Sequence, residues 1–189
     1  MAGEALPPPE VTEAMRQQAR ANPGQWIYSI DPDIGDPNGQ VPGWAIRGGY
    51  PTTPDGQIDT RGYRANPNYR PGPRTLGLPR PTNRVERALE LAATGYGPKE
   101  NLLRALADAE LCMLTVPGQP GHVLVADEAG RSMLVGYTSP TRVPAGTSYL
   151  QVPVRTLLPG LGGALLRLNP GTPPTVTLPG DDLVRLLGQ

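Results

Sequence analysis

Three groups of side chains in this sequence have types and spacing suited to chemistry. The first is the acidic loop over residues 31–40, DPDIGDPNGQ, where Asp31, Asp33 and Asp36 offer oxygen ligands to a divalent cation. An EF-hand calcium loop needs glycine at its sixth position and glutamate at its twelfth. Counted from Asp31, these positions hold Asp36 and Pro42. The loop is instead typical of Asx-Pro turns that end a strand, and weak cation binding is the alternative hypothesis.

The second group consists of Cys112 and His122, as a nucleophile and a general base. Cys112 lies within the apolar stretch ELCMLTV, where an inert buried thiol is the usual case. His122 has no evident carboxylate to orient its ring. The glycine-rich run at 160–163 precedes a strand and lacks a following Lys-Ser/Thr, unlike a phosphate-binding loop. We therefore assign no catalytic, cofactor-binding or metal-binding residue.

The third group is aromatic, and it gives the candidate site. Trp26, Tyr28, Trp44 and Tyr50 lie on two predicted strands that follow each other closely. We expect the four rings to fill a small N-terminal core. The alternative is an aromatic contact surface, since Trp and Tyr dominate protein interfaces. In that alternative these four residues, together with Tyr69, bind a protein partner.

Composition excludes several classes of function. The chain has 189 residues, with 17 basic and 17 acidic side chains, so no net charge attracts a nucleic acid or an anionic membrane. Its single cysteine allows no internal disulfide. We expect no signal peptide, because the first ten residues have neither a basic nor an apolar region. No apolar run approaches the roughly 20 residues that span a bilayer. A soluble cytoplasmic protein is expected.

Local patterns divide the chain into four regions. Residues 1–24 form a lead with a short amphipathic helix, and residues 25–63 form a small β-rich region with strands at 25–30, 43–50 and 57–63. Residues 64–81 contain five prolines and form an extended connector. The connector is either a free linker or a segment lying across the next domain, and Tyr69, Leu76 and Leu78 favour the second interpretation.

Residues 82–189 are predicted to form one compact domain. Asn83 and Glu86 suggest a capping box for a helix to about Thr94, and Pro98 opens a second helix. Strands are expected at 111–116, 122–127, 131–138, 164–168 and 174–178, with single helical turns at 140–144 and 153–159 and a last helix at 180–187. The resulting fold class is α+β, with a mixed or antiparallel sheet and flanking short helices, preceded by the small β-rich region.

Several stretches of the C-terminal half resemble the SseB-like domain family. They are ALADAELCML, the segment 130–139 ending in Tyr-Thr-Ser, the LLP turn at 157–159 and LRLNPGTPPTVTL. Nearly the whole chain, including EAMRQQARANPGQWIYSIDP and GYPTTPDGQI, is also similar to actinobacterial proteins described as type VII secretion system-associated. Tyr137 departs from the SseB-like pattern, which often has phenylalanine there.

These resemblances imply an accessory role and bring no catalytic residues or cofactors. We expect a non-enzymatic cytoplasmic binding protein, an adaptor or chaperone, whose partner is a secretion component or secreted cargo. The first alternative is an immunity protein that neutralises a secreted toxin. The second is an enzyme of unrecognised type, which lacks support because no nucleophile, base and orienting group can be assembled.

Overall fold

The computed structural model describes residues 6–116, 121–127 and 129–187. The chain forms two compact units, Met1–Leu76 and Gly77–Gln189. The division lies inside the segment 64–81, so most of the proline-rich stretch belongs to the N-terminal unit. The two units are described separately below.

Over residues 6–76, the N-terminal unit has one α-helix and a three-stranded antiparallel sheet. Its elements are α1 (Glu13–Ala21), β1 (Trp26–Ile30), β2 (Ile46–Pro51) and β3 (Arg64–Ala65), with the strands in the order β1-β2-β3. The Thr12 hydroxyl caps α1 by accepting a hydrogen bond from the Met15 amide. Among the described residues of this unit, the buried apolar side chains are few: Ala19, Ile27, Ala45 and Tyr50.

Two of the predicted N-terminal strands need correction. The expected strand at 57–63 is wrong, because Ile58 makes only an isolated bridge with Thr52. The Asp59 side chain then accepts a hydrogen bond from the Arg61 amide and caps a 3-10 turn at Thr60–Gly62. The expected strand at 43–50 starts late, since Gly43–Ala45 forms another 3-10 turn before β2.

The C-terminal unit, in its described residues, has a mixed six-stranded sheet and four α-helices. Its elements are α2 (Arg84–Thr94), α3 (Lys99–Ala107), β4 (Glu110–Leu114), β5 (Leu124–Ala126), β6 (Ser132–Tyr137), β7 (Tyr149–Pro153), α4 (Val154–Leu161), β8 (Leu165–Leu168), β9 (Val176–Pro179) and α5 (Gly180–Leu187). The strand order is β7-β4-β6-β8-β9, with β5 also paired to β6. Only the β6–β8 pairing is parallel among the pairings described. The α+β prediction is confirmed.

An apolar core joins the helices to one face of this sheet. Leu89, Leu102 and Leu106 from α2 and α3 pack with Leu166 and Leu168 from β8, and each is fully buried. The other face has a smaller cluster with Cys112 and Tyr137. Strand β7 was not predicted, and the helical turn expected at 153–159 is the eight-residue helix α4. None of the described helices is both long and apolar enough to span a bilayer.

Half of the predicted capping box is confirmed. The Asn83 side chain accepts a hydrogen bond from the Glu86 amide at 2.9 Å and so caps α2. The Glu86 carboxylate, however, accepts from the Thr82 amide at 2.8 Å and faces a polar cluster. Gly95 ends the helix in the left-handed conformation with φ 78°, as helix C-termini often require.

Candidate functional site

An open aromatic groove lies on one face of the N-terminal sheet. Side chains alternate along β1, so Ile27 and Ser29 are buried while Trp26 and Tyr28 lie on the opposite face, 37% and 55% exposed. Trp44 adds a half-buried ring from the 3-10 turn. The groove has a volume of about 560 Å³, within the range of ligand-binding clefts.

Strand register gives the groove its floor. Tyr28 pairs with Gly49 of β2, and Gly49 pairs with Arg64 of β3. A Cβ at Gly49 would lie 3.1 Å from the Trp26 ring and 3.2 Å from the Tyr28 ring. Glycine is therefore needed here because both rings lie close over the backbone of β2.

Arg64 supplies the positive charge of the groove. Its guanidinium carbon lies 5.3 Å from the centre of the Trp26 ring, a cation–π distance. Asn66 positions the groove wall, since its side-chain amide donates to the carbonyls of Gly43 and Ile46 at 2.8 and 2.7 Å. These two bonds fix the turn that holds Trp44.

The five aromatic residues predicted from the sequence occupy three different positions in the N-terminal unit. Trp26, Tyr28 and Trp44 line the groove together. The expectation of a core position is wrong for Trp26 and Tyr28, because Ile27 and Ser29 take the inward positions of β1. It is right for Tyr50, which is 2% exposed and donates a hydrogen bond to the Pro9 carbonyl.

Tyr69 has a different role, as part of a buried polar cluster around Asp31. One oxygen of the Asp31 carboxylate accepts hydrogen bonds from the Tyr69 hydroxyl, the Gly72 amide at 3.0 Å and the Thr75 hydroxyl at 3.0 Å. The other oxygen accepts from the Asp33 amide at 2.8 Å. These contacts attach the proline-rich segment to the N-terminal unit through Asp31.

Burial and hydrogen bonding set the ionisation of this cluster. Burial raises the pKa of Asp31, but the hydrogen bonds from Tyr69 and from the Asp33 and Gly72 amides outweigh it, and the pKa lies below its usual value. Burial and the bond to Asp31 raise the pKa of Tyr69 to about 12. Tyr69 therefore stays a neutral donor to an ionised Asp31 at neutral pH.

The acidic loop thus has a structural use. The Asx turns expected there are present at Asp31 and at Asp36, whose carboxylate accepts from the Asn38 amide at 2.9 Å. Asp33 accepts from the Arg74 amide at 2.8 Å. Within the described residues, no group of three or more His, Cys, Asp or Glu side chains is placed to hold a metal ion. The cation hypothesis for Asp31, Asp33 and Asp36 has no ligand cluster to support it.

The other candidates lie in the C-terminal unit. Cys112 is 1% exposed within β4, and burial, with a smaller effect of Glu110, raises the pKa of its thiol. Such a thiol is a weak nucleophile. His122 is half-buried just before β5. The glycine-rich run at 160–163 covers the end of α4 and the turn before β8, so it does not precede a helix as a phosphate loop would.

The C-terminal unit has its own buried carboxylate, Glu86, which is 2% exposed. Its oxygens form an ion pair with the Arg142 guanidinium, with Nε at 3.2 Å, and accept from the hydroxyls of Thr138 and Ser139 at 3.1 and 2.7 Å. Burial raises the pKa of Glu86, but Arg142, the Thr82 amide and Ser139 outweigh it and lower the pKa to about 2.

Glu86, Thr138, Ser139 and Arg142 lie within the part of the chain that matches a known protein family. The model of the family described as SseB protein N-terminal domain matches residues 85–184, more than half of the chain. The chain belongs to this family. The match confirms the SseB-like resemblance seen in the sequence, and it does not include the groove. No curated protein and no solved structure matches the chain significantly.

Sequence reasoning missed part of the groove. Gly49, Arg64, Asn66 and Asn68 line it, yet none was singled out from the sequence. The available signal was Gly48-Gly49 inside a predicted strand, because glycine in a strand often marks close approach of another group. Arg64 and the two asparagines fell in the segment interpreted as a connector.

Proposed function

We propose that this SseB-family protein is a non-enzymatic binding protein of the cytoplasm that serves type VII secretion as an adaptor or chaperone. The aromatic groove is the surface that holds its partner, a secretion component or secreted cargo. The observation that carries the proposal is the open display of Trp26, Tyr28 and Trp44 around one groove. Trp, Tyr and Arg are the residues that most often dominate binding energy at protein interfaces.

The chemistry of the groove supports binding rather than catalysis. The residues that line it, all in the described part of the chain, provide aromatic rings, glycines, one isoleucine, one guanidinium and two amides. They include no carboxylate, imidazole, thiol or amine to act as a general base or nucleophile. Association with type VII secretion is supported by the resemblance of the sequence around Trp26, QARANPGQWIYSIDP, to proteins so described.

Affinity capture from the native host tests this function. The tagged wild type is compared with a Trp26→Ala/Tyr28→Ala double variant, and bound proteins are identified by mass spectrometry. We expect the wild type to capture a secretion component or cargo and the double variant to lose it. Tyr149→Ala is the matched control, since Tyr149 is a similarly exposed tyrosine, at 36%, in the other unit.

Three outcomes would contradict the proposal at different points. Capture of the same proteins by the double variant would remove the groove from the function. Capture of a secreted toxin encoded beside this gene would replace the adaptor role with the immunity role. Recovery of no secretion component and no cargo would count against the whole assignment.

A further inference from the structure

The groove has a charge that nothing in its lining neutralises. Arg64 is exposed and stacks on Trp26, and within the described residues no carboxylate forms an ion pair with it. Other arginines of the same unit do have such partners: Arg16 and Arg20 pair with Glu13, and Arg74 pairs with Asp33. The groove therefore offers apolar contact together with one unmatched positive charge.

The spacing of the rings suits an extended chain. Trp26 and Tyr28 are two residues apart on one strand, so their positions repeat at roughly 6–7 Å. An extended peptide has the same repeat, and its alternate side chains can lie on both rings at once. Asn68 also lines the groove and is exposed, and its amide can both donate to and accept from a peptide backbone.

We propose that the groove selects an extended acidic peptide segment. Two alternate apolar side chains of the segment contact Trp26 and Tyr28, and a nearby Asp or Glu pairs with Arg64. This inference rests on the proposed binding function and adds the chemistry of the partner. Charges at the edge of an interface mainly determine which partner binds. We therefore expect Arg64 to affect peptide specificity more than total affinity.

A display library of random linear peptides tests the charge preference. The full-length wild type and the Arg64→Glu variant are used as separate targets, and enriched sequences are compared. We expect the wild type to enrich Asp or Glu at a fixed distance from a pair of alternate apolar residues. Arg64→Glu should enrich Lys or Arg at the same position, while Arg61→Glu, an exposed arginine outside the groove lining, should select as the wild type does.

The best wild-type peptide then allows a double-mutant cycle. Replacing its acidic residue by the corresponding amide should weaken binding to the wild type by about fivefold, the upper end for an exposed ion pair. The same replacement should have no effect on binding to Arg64→Gln, because the partner charge is already gone. Circular dichroism of each variant shows that it is folded.

The outcomes separate this inference from the function on which it rests. Enriched peptides that need Trp26 and Tyr28 but show no charge preference would overturn the acidic segment and leave the groove as a binding site. The same acidic preference in Arg64→Glu would also overturn it. If no peptide is enriched over the Trp26→Ala/Tyr28→Ala variant, the peptide inference fails, and the host capture experiment decides separately whether the binding function fails too.

Discussion

The two units of this chain reach stability by different means. Where the C-terminal unit is described, it has a cluster of fifteen buried apolar residues, most of them leucine. Among the described residues of the N-terminal unit, four apolar residues are buried. The smaller unit instead relies on hydrogen bonds, with Asp31 attaching a long irregular segment to the sheet. A unit with little apolar burial depends more on polar contacts.

Both units nevertheless contain buried carboxylates, and the most buried carboxylates of the two units, Asp31 and Glu86, differ in their partners. Glu86 is paired with a guanidinium, whereas Asp31 accepts hydrogen bonds from neutral hydroxyls and backbone amides. Each unit also has its own intrinsic probe. Both tryptophans, Trp26 and Trp44, lie in the N-terminal unit, and the one cysteine, Cys112, is buried in the C-terminal unit. Tryptophan emission and thiol alkylation therefore follow the two units separately.

The largest loss of stability is expected for Glu86→Ala, in the C-terminal unit. Arg142 is 7% exposed, so loss of its partner leaves a buried charge uncompensated. Removing one side of such a pair costs about 3–5 kcal/mol. Denaturant unfolding, followed by circular dichroism and by alkylation of Cys112, should show the loss. Tryptophan emission should keep its midpoint if the two units are stabilised independently.

Glu110→Ala is the matched control for that experiment. Glu110 is an exposed glutamate at the start of β4, and its removal should change stability by no more than about 0.5 kcal/mol. A Glu86→Ala variant as stable as the Glu110→Ala variant would show that the buried ion pair contributes nothing.

A smaller loss of stability is expected for Asp31→Asn, in the N-terminal unit. The asparagine amide replaces one acceptor oxygen by a donor, so some of the hydrogen bonds from Tyr69, Gly72 and Thr75 are lost. An unsatisfied buried polar group costs about 1–3 kcal/mol. The midpoint of tryptophan emission should fall by the equivalent of about 2 kcal/mol, whereas Asp36→Asn, at an exposed Asx turn, should leave it within about 0.5 kcal/mol.

Acidification gives a smaller effect again, through Glu86. Its pKa is about 2 in the folded protein against an ordinary 4.5, so the stability that it provides is complete above pH 4.5 and is lost as the pH falls toward 2. At about pH 3.5 the loss should be roughly 1 kcal/mol. Denaturant unfolding of the C-terminal unit at several pH values measures how its stability changes with pH. Glu86→Gln should remove this pH dependence. An equal slope in that variant would assign the acid sensitivity to other groups.

The comparison also explains what the sequence could predict. In the C-terminal unit, helical periodicity identified α2 and α3 with Leu89, Leu102 and Leu106 facing inward, because the apolar core leaves its pattern in the sequence. Strand β7 was missed because its pairing with β4 is long-range and its side chains show little burial pattern. Local sequence carries little information about such a strand.

The N-terminal unit was predicted less well for a related reason. Alternation placed Trp26 and Tyr28 on one face of β1, but it does not tell which face is buried. That choice depends on the elements packed against the sheet, such as α1, which contacts β1, and such packing is a tertiary feature. A proline-rich composition also made residues 64–81 look like a connector, although hydrogen bonds to the buried carboxylate of Asp31 hold Gly72 and Thr75 in place.

The smallest stability effect is expected for Trp26→Ala, and it tests the division between the two faces of the N-terminal sheet. Trp26 is 37% exposed, so its loss should lower stability by no more than about 1 kcal/mol, with emission from Trp44 as the probe. Tyr50→Ala on the opposite face empties a buried site and should cost about 3 kcal/mol or more. If Trp26→Ala is as destabilising as Tyr50→Ala, the ring stabilises the fold as a core residue does. A small loss of stability combined with loss of partner binding would instead assign Trp26 to the interface.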